Sequence, residues 1–303
     1  MASASEIDGL KRLLRHEVSL FCRHNNRRWK QAIATTVDEI REGHWPAVFF
    51  GGTLRSLLLS RLTHNVLGRP RDIDIVIRDT RLPDLQQQFE KYVARRTRFG
   101  GLQLQRVGWQ FDVWPLQETH ALKEAGLSHP DFDDLPRSTF FNLEAVAVDV
   151  LSRAGKPRSI YSADDQFFRG VIERIIEINR EENPFPGLCV VRSVVMAGNL
   201  KWKVGPRLLR YLARVGSEMS EDELTNIQVR HYGTAQWPIS VFSRAIEFAR
   251  RHAEQGNDEP EELPLPKQLT FWPDEDRPWP RIRLAVTGGK PSKIINFNLR
   301  QLP

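Results

Sequence analysis

A glycine pair behind a short apolar strand, followed by two aspartates one residue apart on a second strand, constrains this chain more than anything else in it. The residues are Ala47-Val48-Phe49-Phe50-Gly51-Gly52-Thr53-Leu54-Arg55 and then Arg71-Asp72-Ile73-Asp74-Ile75-Val76-Ile77. Side chains alternate along a strand, so Asp72 and Asp74 share one face and Ile73, Ile75 and Ile77 the other. The isoleucine face reads as buried, which leaves two carboxylates displayed together on the opposite side. Such a pair is a poor core and a good site for hard divalent cations such as Mg²⁺. The glycines let backbone approach a phosphate closely, and the helix predicted over Thr53–Leu62 offers free N–H groups to an anion at its start. Arg55 adds positive charge to that cradle. A phosphate cradle beside a cation pair is the equipment for moving a nucleotidyl group.

Asp112 extends the pattern. It lies in Trp109-Gln110-Phe111-Asp112-Val113-Trp114-Pro115, a predicted strand, bracketed by apolar residues. A third carboxylate would let two metal ions ~3.5–4 Å apart be bridged for in-line displacement at phosphorus. The plainer alternative is a strand-end aspartate capping the next helix. Arg137 and Asn142, in Arg137-Ser138-Thr139-Phe140-Phe141-Asn142, stand before a strand read as carrying Glu144 and Asp149. They suit either a nucleotide's sugar and phosphates or, for Asn142, an ordinary turn hydrogen bond, and spacing alone leaves both open.

The organisation reads as α+β. Apolar spacing predicts N-terminal helices within 1–45, a small mixed-sheet head over 46–160, a helical neck and body over 161–253, and an extended Pro-rich tail over 254–303. Within the head, Pro83–Arg95 reads as a helix and the runs near Gln103 and Trp109–Trp114 as an antiparallel pair. In the body, helices are predicted over 184–200, 206–216, 220–232 and 238–253, with Pro206 at a helix start and Ser220 with Glu223 as a capping box. Arg23, Arg27, Arg28 and Lys30 form a basic cluster that reads as a solvated face or a phosphate-backbone contact. Trp272 and Trp279 in the tail suit packing on the body or a partner.

With 40% hydrophobic and 27% charged residues the 303-residue chain can pack a core, and a net charge of +6 favours an anionic partner. Cys22 and Cys189 are the only cysteines. They fit neither a metal spacing nor a disulfide framework and point to a reducing, cytoplasmic setting. No apolar run approaches the roughly 20 residues of a membrane span, and the polar opening Met1–Glu6 lacks a signal-peptide core.

The order of Gly-Gly-x-x-Arg, a leucine-rich helix, Asp-x-Asp on a strand and a later acidic strand resembles the head domain of the class II tRNA nucleotidyltransferases and bacterial poly(A) polymerases. These belong to the DNA polymerase β-like nucleotidyltransferase superfamily. The resemblance covers roughly residues 45–215. Arg137 and Asn142 take the first and sixth positions of the family block Arg-Asp-Phe-Thr-Ile-Asn-Ala. Arg192 takes the final arginine of the block that opens the neck helix. The resemblance implies Mg²⁺-dependent transfer of NMP from an NTP to an RNA end, with tRNA as one acceptor class. Asp72 and Asp74 would bind both metals, and Asp112 would help activate the attacking hydroxyl. Gly51, Gly52, Arg55, Arg137, Asn142 and Arg192 would surround the nucleotide.

The departures are informative. Ser56 and Ser138 stand where the family has aspartates. Phe185, Pro186, Gly187, Leu188 and Cys189 fall on the family's Glu-Asp-x-x-Arg, whose Asp and Arg read the base edges of CTP and ATP. The RNA-gripping body is also short. Two alternatives therefore stand beside RNA extension. One is the same chemistry on a protein side chain or small molecule, in a stress, toxin–antitoxin or phage-defence setting. The other is a non-catalytic nucleotide- or RNA-binding module.

Overall fold

A computed structural model of the chain describes residues 2–23, 28–63, 70, 72–152 and 155–266. Most of the expected tail, with Trp272 and Trp279, lies outside the described residues, as do Arg27 and Arg71.

Two helices, α1 (Ala4–Phe21) and α2 (Arg28–Glu42), lead into β1 (Ala47–Phe50), α3 (Gly52–Leu62) and β2 (Asp72–Ile77). Then come α4 (Leu82–Gln88), β3 (Val93–Arg96), β4 (Leu102–Arg106), β5 (Trp109–Pro115), α5 (His120–Glu124), β6 (Ala147–Asp149), β7 (Ile160–Tyr161) and α6 (Gln166–Glu173). The helix expected over Pro83–Arg95 stops at Gln88. Leu85 and Phe89 are buried at helical spacing, and this pattern masked the change of state. From Val93 onward the backbone instead finds its hydrogen bonds in an antiparallel ladder with β4.

The sheet runs β3-β4-β5-β2-β1-β6-β7. Every pairing is antiparallel except β2 with β5, which is parallel. A parallel pair needs a long crossover, and α4 with the β3–β4 hairpin supplies it. Strand alternation divides the two faces. Ala47, Phe49, Ile73, Ile75, Ile77, Phe111 and Val113 join the main core with α1 and α3. Val48, Phe50 and Val76 turn the other way into a smaller cluster with Leu116, Leu122 and Phe132. Asp72, Asp74 and Asp112 have the parity of that second face. Arg106, 5% exposed, ties β4 to α2 through Glu39 and Thr36, with its guanidinium 3.5 Å from the Tyr92 ring centroid.

After the sheet, β8 (Ile175–Ile176) and β9 (Lys203–Val204) form a small parallel pair flanking α7 (Pro186–Leu200). The later region is thus not wholly helical. α8 (Pro206–Tyr211) continues as a wider π-type turn over Leu212–Gly216. α9 (Glu221–Tyr232) opens on the Ser220–Glu223 capping box, and α10 (Ile239–Glu254) closes the bundle. Glu261 then bridges to Val204 and Leu263 is buried, so the described start of the tail lies on the body. One continuous core joins Ile7 of α1 to Leu263. Trp202 is 7% exposed and belongs to this core. Among the described residues no helix is long and apolar enough to cross a membrane.

Candidate active site

The site is built from the turn after β1. Gly51 has φ +63° and ψ −127°, a conformation that side chains at Cβ oppose. Its N–H donates to the Val146 carbonyl at 3.1 Å, and its own carbonyl accepts from the N–H groups of Leu54 and Arg55. No side chain caps α3, so first-turn N–H groups are left for another acceptor. Thr53 locks the turn to β2: its hydroxyl donates to the Asp72 carbonyl at 3.1 Å and accepts from the Asp74 N–H at 3.4 Å. Of the two glycines only Gly51 demands its residue type. A Cβ on Gly52 would meet Arg55 and Glu144 side-chain atoms at 3.6 and 3.7 Å, ordinary contact distances. Gly51→Ala should therefore destabilise the fold by about 1–3 kcal/mol, with Gly52→Ala nearly neutral in the same thermal melts. Equal melting of the two variants would contradict this assignment.

The carboxylates come from β2 and β5. The parallel register sets Asp74 beside Asp112 and Asp72 beside Gln110, so three acids occupy one face of two adjacent strands. Asp112 Oδ1 accepts from Gln103 Nε2 at 3.2 Å, and Gln103 Oε1 accepts from Arg95 Nε at 3.0 Å. A polar row thus crosses from β3 to β5. Burial first, and then the charges of Asp72, Asp112 and Glu144, push the Asp74 carboxyl well above the ordinary aspartate range, with Arg192 opposing. Like charges held together at a half-buried position favour either a proton or a cation. As the side chains stand, no three His, Cys, Asp or Glu groups among the described residues converge to hold a metal ion. The donor set fits a hard divalent cation in kind and in shared face.

Glu144 is the residue that sequence reasoning passed over. It lies in a short helical turn, Asn142–Glu144, before β6 rather than on the strand. Its Oε1 accepts from Arg55 Nη1 at 2.6 Å and also from Arg192 Nη2. Burial opposes its charge, but Arg192 and Arg55 outweigh it and hold the carboxyl below the usual range. The triad joins the glycine-turn helix α3 to the long helix α7, directly over Gly52. No local pattern announces it, because its partners lie far away in sequence.

Two other expected residues are placed elsewhere. Asn142 is 6% exposed. It donates to the Ile175 carbonyl at 3.0 Å and accepts from the Leu143 and Glu177 N–H groups, each at 2.9 Å. These bonds tie its side chain to the backbone of Leu143, Ile175 and Glu177, as the turn reading has it. Arg137 is exposed and lines a cavity of about 470 Å³ with Arg180 and Arg207. A second cavity of about 500 Å³ lies against Phe99, His120 and Lys123. Neither is lined by the three aspartates. The structure thus brings together Gly51, Gly52, Arg55, Asp72, Asp74, Asp112 and Arg192, adds Glu144, and leaves Arg137 apart.

No protein-family model matches the chain, and no curated protein matches it. Solved structures do. The CCA-adding enzyme of Thermotoga maritima complexed with tRNA shares 15% identity at a TM-score of 0.52, over 78% of this chain and 53% of that one. A CCA-adding enzyme complexed with CTP gives 15% and 0.52 over 81% and 54%. A tRNA-processing enzyme in an apo form gives 15% and 0.48 over 77% and 66%. The chain therefore has the fold of the two CCA-adding enzymes, and it spans between about half and two thirds of the length of these three solved structures.

Proposed function

We propose that the chain is a Mg²⁺-dependent nucleotidyltransferase that transfers NMP from an NTP to an RNA end, with tRNA among the acceptors to be tested. The observation that carries this reading is the pairing of Asp74 with Asp112 across parallel strands, on the same face as Asp72 and next to the Gly51 turn. The fold shared with CCA-adding enzymes solved with tRNA and with CTP supports it. Asp72, Asp74 and Asp112 would hold the metal ions. When bound there, Mg²⁺ would supply Lewis-acid neutralisation of phosphoryl charge.

The chain's own groups do the rest. The first-turn N–H groups of α3 hold the triphosphate. Arg55 and Arg192 offset the negative charge that grows on the departing pyrophosphate. Glu144 sets their positions. Asp112, steadied by Gln103, accepts a hydrogen bond from the acceptor hydroxyl, aims its oxygen at the α-phosphorus and takes its proton as that oxygen attacks. The new O–P bond forms opposite the one that breaks, and pyrophosphate leaves.

The test incubates purified protein with each α-labelled NTP, Mg²⁺ and total RNA. Label is expected on RNA with wild type and absent with the Asp72→Ala, Asp74→Ala double variant. Undiminished labelling by the double variant would refute the carboxylate assignment. Label confined to protein would replace the acceptor.

A further inference from the structure

We propose that the base of the incoming nucleotide is held by stacking on Phe185 rather than by side chains that read its edge, an inference that rests on the nucleotidyl-transfer reading above. Phe185 is the one aromatic among the exposed large hydrophobic side chains of the described residues, at 37%. Exposing a phenylalanine ring beside a charged surface forfeits burial energy, and a planar ligand would recover it. The ring is already braced. Phe99 meets it edge-on at 5.7 Å between centroids, and the Arg98 guanidinium lies 5.3 Å from its centroid. His120 also meets Phe99 edge-on, at 4.7 Å between centroids. An aromatic surface carrying a guanidinium is the pairing that binds nucleobases through their π-faces.

The position relative to the phosphate cradle fits one nucleotide. Phe185 is the N-cap of α7 and Arg192 lies on that same helix. Seven residues at 1.5 Å each separate them by roughly 10 Å along the axis. That is comparable with the reach from a nucleobase to its terminal phosphates. Phe99 sits on the turn between β3 and β4, and the Gln103 of β4 contacts Asp112. Both ends of the stack are therefore tethered to elements that build the site.

The first turn of α7 offers the base edge no free polar side chain. Pro186, Gly187 and Leu188 carry no side-chain donor or acceptor, and the Cys189 thiol is buried, with its pKa pushed up to about 12 by burial. Stacking without edge contacts is tolerant of base identity. The four NTPs should bind within a few fold of one another, purines ahead because their rings cover more surface.

The experiment measures binding by calorimetry with Mg²⁺, using α,β-methylene analogues of the four NTPs and inorganic tripolyphosphate. Phe185→Ala should weaken every nucleotide analogue by about tenfold and leave tripolyphosphate unchanged, and Phe185→Trp should restore nucleotide affinity. Unchanged nucleotide binding in Phe185→Ala, or one analogue preferred more than about tenfold by wild type, overturns the stacking inference alone. Failure of wild type to bind either tripolyphosphate or any analogue overturns the nucleotide site itself, and the stacking inference with it.

Discussion

Asp74→Asn will abolish NMP transfer and at the same time raise the melting temperature of the nucleotide-free protein. The two effects share one cause. Asp74 is half-buried beside Asp72, Asp112 and Glu144, and its carboxyl is held well above the ordinary aspartate range. The folded state therefore binds a proton that the unfolded chain releases. The stability this group contributes is whole below the ordinary aspartate value and is lost as pH rises through the raised one. At neutral pH the charge is a cost, and asparagine keeps the shape while removing it. Solvent screening of a partly exposed group limits the gain to about 1 kcal/mol, or roughly 2–4 °C. The gain should shrink as the solution is acidified. The same carboxylate is the central metal ligand in the proposed reaction, so its loss should cut the rate by roughly 10³-fold or more. Mg²⁺ should raise the melting temperature of wild type and leave the variant unmoved. A variant that melts below wild type, or keeps its rate within about tenfold, would count against the site.

Much of the frame that positions this site was legible in the chain because it depends on local rules. Alternation in Asp72–Ile77 announced a strand with a buried isoleucine face, and Ser220 with Glu223 announced a helix start. What was not legible depends on long-range pairing. The parallel register that sets Asp74 beside Asp112 follows from a crossover through α4 and a hairpin, and the strand Val93–Arg96 within that crossover was hidden by helical spacing at Leu85 and Phe89. Asn142 offered two readings of equal local merit, and its bonds to Ile175 and Glu177 lie too far along the chain to be read from its neighbours. Glu144 had no local signal at all, since a lone glutamate before a strand gains meaning only when Arg55 and Arg192 meet it.

Glu144→Ala should be the most destabilising substitution in the site. Two guanidinium groups face one buried carboxylate, 11% exposed, with Arg55 and Arg192 themselves 19% and 25% exposed. The burial of the intact triad is costly in itself, so its net contribution is small. Removing the central acid is different, because it leaves two cations close together with their shared partner gone. Breaking a buried pair in this way costs about 3–5 kcal/mol, and partial exposure of the arginines sets the expectation at the lower end. For a chain of this size that lowers the melting temperature by roughly 6–12 °C. Glu144→Gln keeps one acceptor oxygen and should fall between. An anion that takes the place of the carboxylate should reverse the loss. Tripolyphosphate should therefore raise the melting temperature of Glu144→Ala by more than it raises that of wild type, since in the variant it neutralises Arg55 and Arg192 without a competitor. A purely structural glutamate would show the first effect without the second. If tripolyphosphate stabilises both proteins equally, the arginines do not face the phosphate site, and the link between α3, α7 and the incoming nucleotide fails.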